Sequence, residues 1–193
     1  MLVRHKICDY CNGDHTDRHC PIEKRIAPLV RKMIGKWMEH YVGNNIKCPN
    51  CRNHSLDILD DNSPSLDAIC SCCDKKYEIK SKCLSVKELP DDIIINHGNY
   101  FEYINRKKDI DFIMIIYKAC RKTKHITLRR IFHIPNSELY NNNNFKVVKK
   151  DNNNLCNIYI KNHNIYNRYN LNNHNVVYDF SKEIQQKIEE ISV

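Results

Sequence analysis

Apolar residues early in the chain recur every fourth position: Leu29, Met33, Trp37 and Tyr41, with Val30, Ile34 and Met38 beside them. That spacing lays one stripe along a helix and predicts an amphipathic helix over 28–42. Pro28 suits its first turn and Gly43 its stop. Trp37 could stack on a nucleic-acid base, but its place within the stripe makes packing in the core the expectation. Further on the period becomes two: Tyr77 and Ile79 alternate with Glu78 and Lys80. A strand there turns the first pair toward a core and the second pair the opposite way. The apolar run 110–117 is too short to span a membrane and reads as a buried strand, and a second strand is expected at 125–133. Arg129 and Arg130 on that second strand are either phosphate contacts or ordinary surface charge.

The remaining elements follow from the same patterns. Residues 84–95 are mixed and broken by Pro90, and 99–107 predicts a helix with Tyr100, Tyr103 and Ile104 on one side. The Asn-rich pieces 141–144 and 152–154 flank 145–150, and the whole reads as loops, with Lys146, Lys149 and Lys150 in the middle. A short strand is expected at 155–160. The stretch 162–175 is polar and irregular, and its His163 and His174 lack ligand spacing. A closing helix from Ser181 carries Ile184, Ile188 and Ile191 at helical intervals. No internal repeat is apparent.

At 193 residues with 41% hydrophobic content, the chain can bury a real core, which excludes global disorder. A net charge of +8 favours a polyanionic partner. Eleven cysteines would fit a secreted disulfide scaffold, but the N-terminus has no apolar signal core. Seven of the cysteines fall into metal-like spacings, so a reduced, intracellular protein is expected. The abundance of Asn, Ile, Lys and Tyr with only four glycines reflects AT-biased coding rather than function.

Two cysteine groups carry the first chemistry. Cys48 and Cys51 form a Cys-x-x-Cys pair, and after eighteen intervening residues Cys70 and Cys73 form another. Two such turns aim four thiolates at one tetrahedral zinc. Cys72 competes with Cys73, but the two-residue gap from Cys70 favours Cys73. Near the N-terminus Cys8, Cys11, His15 and Cys20 resemble a CCHC zinc knuckle with one residue fewer than usual before the histidine, and His19 is an alternative ligand. So short a segment needs metal to fold, and it serves as a structural clip or a contact for single-stranded nucleic acid. Cys83, Cys120 and Cys156, with Cys72, are read as free buried cysteines.

Interleaved with the second pair, Asp67 stands three residues before Cys70, and Glu78-Ile79-Lys80 begins five residues after Cys73. An acid, a gap of about ten, then acid-x-lysine is the signature of restriction-endonuclease-type nucleases. Phosphodiester hydrolysis needs a hard cation to neutralise phosphoryl charge and activate water, and two carboxylates can hold it. An ammonium on the same strand face can orient or help deprotonate the water, or stabilise the transition state. Taken singly, acid-x-lysine is more often a solvated face and Asp67 a turn residue. Glu39, on the polar side of the first helix, is a further acid that could reach the metal.

The segment 48–82 resembles the catalytic domain of the DpnI-like restriction endonucleases, PD-(D/E)xK enzymes in which a zinc ribbon lies ahead of and within the nuclease motif. The matching residues are Cys48-Pro49-Asn50-Cys51, Asp67, Cys70, Cys73 and 78–82, and the resemblance extends over 29–135. It implies an α/β fold: a restriction-endonuclease-like mixed sheet flanked by helices, with an embedded four-cysteine zinc ribbon at 48–73. It also implies magnesium-dependent cleavage of DNA. Asp67, Glu78 and the Ile79 carbonyl would bind magnesium, and Lys80 would be the catalytic lysine. The expected organisation is a knuckle-like segment at 1–24 followed by a nuclease domain at 25–193. The family's C-terminal winged helix, which reads methyladenine in GATC, is expected to be missing, because the chain ends too early for one. Adenine-methyl-directed cutting therefore rests on the catalytic domain. The rival reading is a non-catalytic zinc-binding adaptor for nucleic acid, with Asp67 and Glu78 as incidental surface acids.

Overall fold

The structure is a computed structural model and describes residues 21–60, 66–84, 93–97, 110–120, 124–141, 145–149, 156–160, 170–172 and 176–192. The expected knuckle (Cys8, Cys11, His15 or His19, Cys20), the helix at 99–107, His163, His174 and most of the Asn-rich stretches lie outside these residues.

The opening helix, α1, runs Pro21–Asn45 and is longer than its apolar stripe suggested. Pro28 sits inside it on the exposed face rather than at its start. The row that reaches the core is Ile26, Ile34, Met38 and Val42, whereas Met33, Trp37 and Tyr41 form a half-buried flank and Leu29 is 38% exposed. Two adjacent apolar rows exist on this helix, and only the position of the sheet selects the deeper one. Gly43 does not stop α1 either. It is buried within the last turn, where an added Cβ would lie 2.6 Å from Ile58 Cγ1 and 3.1 Å from the Leu56 carbonyl oxygen. A glycine is needed there because the chain returns close against the helix. Asn45 ends the helix, its Nδ2 donating to the Tyr41 carbonyl at 2.9 Å.

Two short strands, β1 (Asp57–Ile58) and β2 (Ala68–Ile69), lead into the longer β3 (Lys76–Cys83). The next is β4 (Ile93–His97), and then come the two central strands β5 (Ile110–Cys120) and β6 (His125–Ile134). A short helix, α2 (Asn136–Asn141), precedes β7 (Phe145–Lys149) and β8 (Cys156–Ile160). The chain then supplies β9 (Asn170–Asn172), β10 (Val177–Asp179) and α3 (Ser181–Ser192). One mixed sheet has the order β1-β2-β3-β5-β6-β10, with β9 also along β6, and β4-β8-β7 form a second sheet. Among the described residues, only the β3–β5 pair is parallel. Parallel pairing requires a crossover, which the chain between 84 and 109 provides.

The expected strands at 110–117, 125–133 and 155–160 and the helix from Ser181 are present. Residues 145–149 are not a loop but β7, an antiparallel partner of β8. A short segment between Asn-rich stretches carries too weak a pattern to show that it is a strand, and its pairing supplies the missing stabilisation.

Both faces of the central sheet are buried. Tyr77, Ile79, Ile113, Ile115, Leu128 and Ile131 join Met38 and Val42 of α1 and Ile184 of α3 in one apolar cluster. The alternate residues Phe112, Met114, Ile116, Phe132 and Ile134 are buried on the opposite face. Glu78 and Lys80 belong to that second face, since they pair in register with Phe112 and Met114. Trp37 joins the aromatic flank of the first face, its ring 4.7 Å from Tyr178 and 6.0 Å from Phe180.

Candidate functional site

The two Cys-x-x-Cys turns are built alike. Arg52 N–H donates to the Cys48 carbonyl at 2.8 Å, and Asp74 N–H donates to the Cys70 carbonyl at 2.8 Å. Both donors follow the second cysteine of their pair and adopt positive φ, 60° at Arg52 and 52° at Asp74. This left-handed residue curls each turn so that its two sulfurs point the same way. All four sulfurs of Cys48, Cys51, Cys70 and Cys73 lie within 4.8 Å of one another. Cys48 Sγ is 3.7 Å from Cys73 Sγ, and Cys51 Sγ is 3.6 Å from Cys70 Sγ. Thiolates at tetrahedral corners, about 2.3 Å from a zinc, stand about 3.8 Å apart, so the cluster has the dimensions of such a site.

The surroundings act on the thiols in opposite directions. Backbone N–H groups of Asn53 and His54 bring the Cys51 thiol down to about 5. The Asn50 side chain and the Lys75 N–H lower Cys73, whereas burial pushes Cys70 up to about 12. Tyr77 Oη is 3.1 Å from Cys48 Sγ, a contact that ties the cluster to β3 and that no sequence spacing announces. Cys72 is exposed and forms a second possible ligand group with Cys51 and His54, but this shares Cys51 with the four-sulfur cluster. The expectation that Cys72 and Cys83 are buried is wrong, because both side chains are exposed. Their sequence neighbours are exposed or half-buried as well, Ser71 and Cys73 beside Cys72, and Lys82 and Leu84 beside Cys83.

The second group of residues forms where β2 ends. Ala68 and Ile69 pair with Tyr77 and Lys76, and one residue earlier Asp67 leaves the ladder. Its backbone N–H still donates to the Tyr77 carbonyl at 3.1 Å, and its Oδ2 accepts from Ile79 N–H at 2.6 Å. A strand residue points its N–H and C=O to the same side, so the Ile79 carbonyl also faces this edge, beyond the end of β2. On β3, Lys80 Nζ is 2.6 Å from Glu78 Oε1, and Glu78 is buried. The structure therefore brings Asp67, Glu78, Ile79 and Lys80 to one edge, although strand alternation puts the side chain of Ile79 on the opposite face.

Electrostatics confirm how close these groups are. Burial raises the Asp67 carboxyl above its ordinary value and Glu78 adds to the rise, while Lys80 and the Ile79 N–H oppose it. Burial works against the Lys80 ammonium, but Glu78, Asp67 and Glu39 outweigh it and lift Lys80 above the usual lysine value. Glu39 of α1 thus belongs to this cluster. Burial and the Asp67 charge push its carboxyl up, against Lys36, Lys80 and His40, and Lys36 Nζ is 3.8 Å from Glu39 Oε2. The sequence offers Glu39 as an extra acid for the metal, but it shows Lys36 only as its helical i, i+3 partner, which is usually a solvated face.

A third polar group lies beneath the zinc-type cluster. Buried Asp111 receives His133 Nε2 at 2.8 Å, Asn136 N–H at 3.0 Å and Lys75 Nζ at 3.0 Å. The His133 ring in turn meets Tyr77 edge-on at 6.0 Å. Burial alone would raise Asp111, but these three donors overcome it and hold the carboxyl below the ordinary range. A depressed carboxylate stabilises the fold above its unfolded pKa, near 3.9, and loses that contribution as pH falls through the folded value. Asp111→Ala is expected to lower stability at neutral pH by about 3 kcal/mol, because three donors lose a buried partner. Thermal unfolding from pH 7 to pH 3 should show the gap between wild type and variant closing on the acid side, and a constant gap would refute this account.

The chain is thus a mixed α/β protein with a four-cysteine metal-type cluster beside a two-carboxylate, one-lysine edge site. Residues 24–190 match the family model described as DpnI, the Dam-replacing family, and the chain belongs to that family. No curated protein matches it. Among the described residues, no helix is long and apolar enough to cross a membrane.

Proposed function

We propose that this protein is a magnesium-dependent DNA endonuclease with a restriction-endonuclease-like core, extending to adenine-methyl-directed cutting at GATC-type sites. The observation that carries this reading is the convergence of Asp67, Glu78 and Lys80 on the β3 edge where β2 ends. Membership of the DpnI family supports DNA as the substrate.

The donor set fits a hard cation: two carboxylates, Asp67 and Glu78, and the Ile79 carbonyl, all oxygen. Bound magnesium would neutralise developing charge on the phosphoryl group and activate a water. The chain's own contribution is positional. Asp67 is anchored by the Ile79 N–H, so one carboxylate oxygen is fixed while the other is left to the cation. Lys80, held beside Glu78, presents an ammonium that orients the attacking water and stabilises charge on the phosphate. Glu39 adds a third acid, and Lys36 a cation, from the neighbouring helix. The four-cysteine cluster holds structural zinc and keeps the turn before β3 in place. Residues 1–24 form a separate zinc knuckle through Cys8, Cys11, His15 and Cys20, and 25–193 the nuclease unit. The protein works in a reducing, intracellular compartment.

Adenine-methylated and unmethylated plasmid, incubated with the purified protein with and without magnesium, test this directly. Magnesium-dependent linearisation is expected, and preference for the methylated plasmid would show that the methyl group is read. No cutting of duplex, single-stranded or branched DNA would overturn the nuclease reading in favour of a zinc-binding nucleic-acid adaptor.

A further inference from the structure

Between α1 and α3 lies an open groove of about 420 Å³ whose floor is the Trp37, Tyr178 and Phe180 rings. It lies on the face of the sheet opposite Glu78 and Lys80, and the motif residues do not line it. The three rings pack on one another: Trp37 and Tyr178 are 4.7 Å apart and tilted by 37°, and Tyr178 and Phe180 are 4.5 Å apart and nearly edge-on. Trp37 is only half-buried, and Leu29 at the rim is an exposed large apolar residue. An apolar floor of this kind is not sealed core. Three lysines, Lys32, Lys36 and Lys187, stand around it. The acid in the wall, Glu183, accepts from Tyr178 Oη at 2.9 Å, which turns its carboxylate toward the ring hydroxyl.

We infer that this groove binds an unpaired nucleotide of a nucleic-acid strand, with its base against Trp37 and its phosphates among Lys32, Lys36 and Lys187. The choice of nucleic acid rests on the nuclease reading above. Flat aromatic surface ringed by cations is the combination that holds single strands, because every base has a π-face and every linkage an anionic phosphate. A peptide or a second copy of this basic chain would gain less from three lysines, given the overall charge of +8. The position is also continuous with the proposed catalytic edge. Lys36 lines the groove, and its Nζ is 3.8 Å from Glu39 Oε2 on the same helix. A strand lying in the groove would therefore lead past Lys36 toward the carboxylates.

Trp37 is the single tryptophan of the chain, so its fluorescence reports this groove alone. The test titrates the full zinc-loaded protein, in magnesium-free buffer, with a 12-nucleotide oligothymidylate and with a blunt duplex of the same length. Quenching of Trp37 by the single strand, and much less by the duplex, is expected. Lys32→Glu with Lys187→Glu, both at the rim and outside the folding core, should weaken oligothymidylate binding at least about tenfold and flatten its salt dependence by about 1.4 in slope, the share of two phosphate contacts. Absence of quenching, equal quenching by duplex, or quenching unchanged in the double variant would each overturn the assignment. A blue-shifted Trp37 spectrum that grows with protein concentration and blocks quenching would overturn it in favour of self-association. A wild-type protein that binds oligothymidylate in this way but cuts nothing would support the groove and sink only the nuclease reading.

Discussion

Asp67→Asn and Lys80→Ala are each expected to lower magnesium-dependent DNA cleavage by about a hundredfold to a thousandfold, the usual effect of removing one group that stabilises transition-state charge. Asparagine at 67 keeps an oxygen to accept from the Ile79 N–H, which donates to Asp67 Oδ2 at 2.6 Å, so the edge of β3 retains its shape while the site loses a negative charge. Lys80→Ala removes the ammonium 2.6 Å from Glu78 Oε1 and leaves that carboxylate buried without its nearest cation. The two variants should therefore differ in stability: Lys80→Ala melts lower, whereas Asp67→Asn stays close to wild type because burial already disfavours its charged form. Single-turnover cleavage at saturating magnesium, with melting curves and zinc content alongside, separates chemistry from folding. Cutting within about tenfold of wild type in both variants would remove Asp67 and Lys80 from the mechanism.

The second large effect is expected at the cysteines. Cys48 and Cys70 are fully buried, so Cys48→Ser or Cys70→Ser should abolish zinc binding and lower the melting temperature by roughly 10 °C or more. Structural zinc contributes about 10–16 kcal/mol of apparent binding free energy in small domains, comparable to the whole stability of a typical fold. Here the loss is limited because α1 and the central strands have a core of their own. Cys72→Ser tests the choice of ligand. Cys72 is exposed and outside the four-sulfur cluster, so this variant should keep its zinc and melt as wild type does. A Cys72→Ser protein that lost zinc while Cys73→Ser kept it would reverse the assignment.

Much of the site was legible in the chain. The two Cys-x-x-Cys pairs announce themselves because each is a local turn, and residues three apart meet whatever the rest of the fold does. Glu78 and Lys80 share a face for the same reason, since alternation is a property of any strand. The same local arguments misplaced the ends of α1. Pro28 and Gly43 are good boundary residues in an isolated helix, yet here the helix runs through both, and Gly43 answers instead to the close approach of Leu56 and Ile58. β7 was missed because its evidence is a partner strand, β8, rather than its own sequence.

The sequence by itself determined which residues are candidates for metal-ligating and acid-x-lysine chemistry, where the central strands and closing helix fall, and that the chain is basic. Only the tertiary structure decided that α1 brings Glu39 and Lys36 to the Asp67 edge, that Asp111 gathers Lys75, His133 and Asn136, and that Trp37 floors a groove rather than filling a core. The physical reason is the range of the interactions. Turns and strand alternation act between neighbours in sequence, whereas helix docking and parallel β3–β5 pairing join residues far apart in the chain, and the row of a helix that becomes buried depends on what it meets.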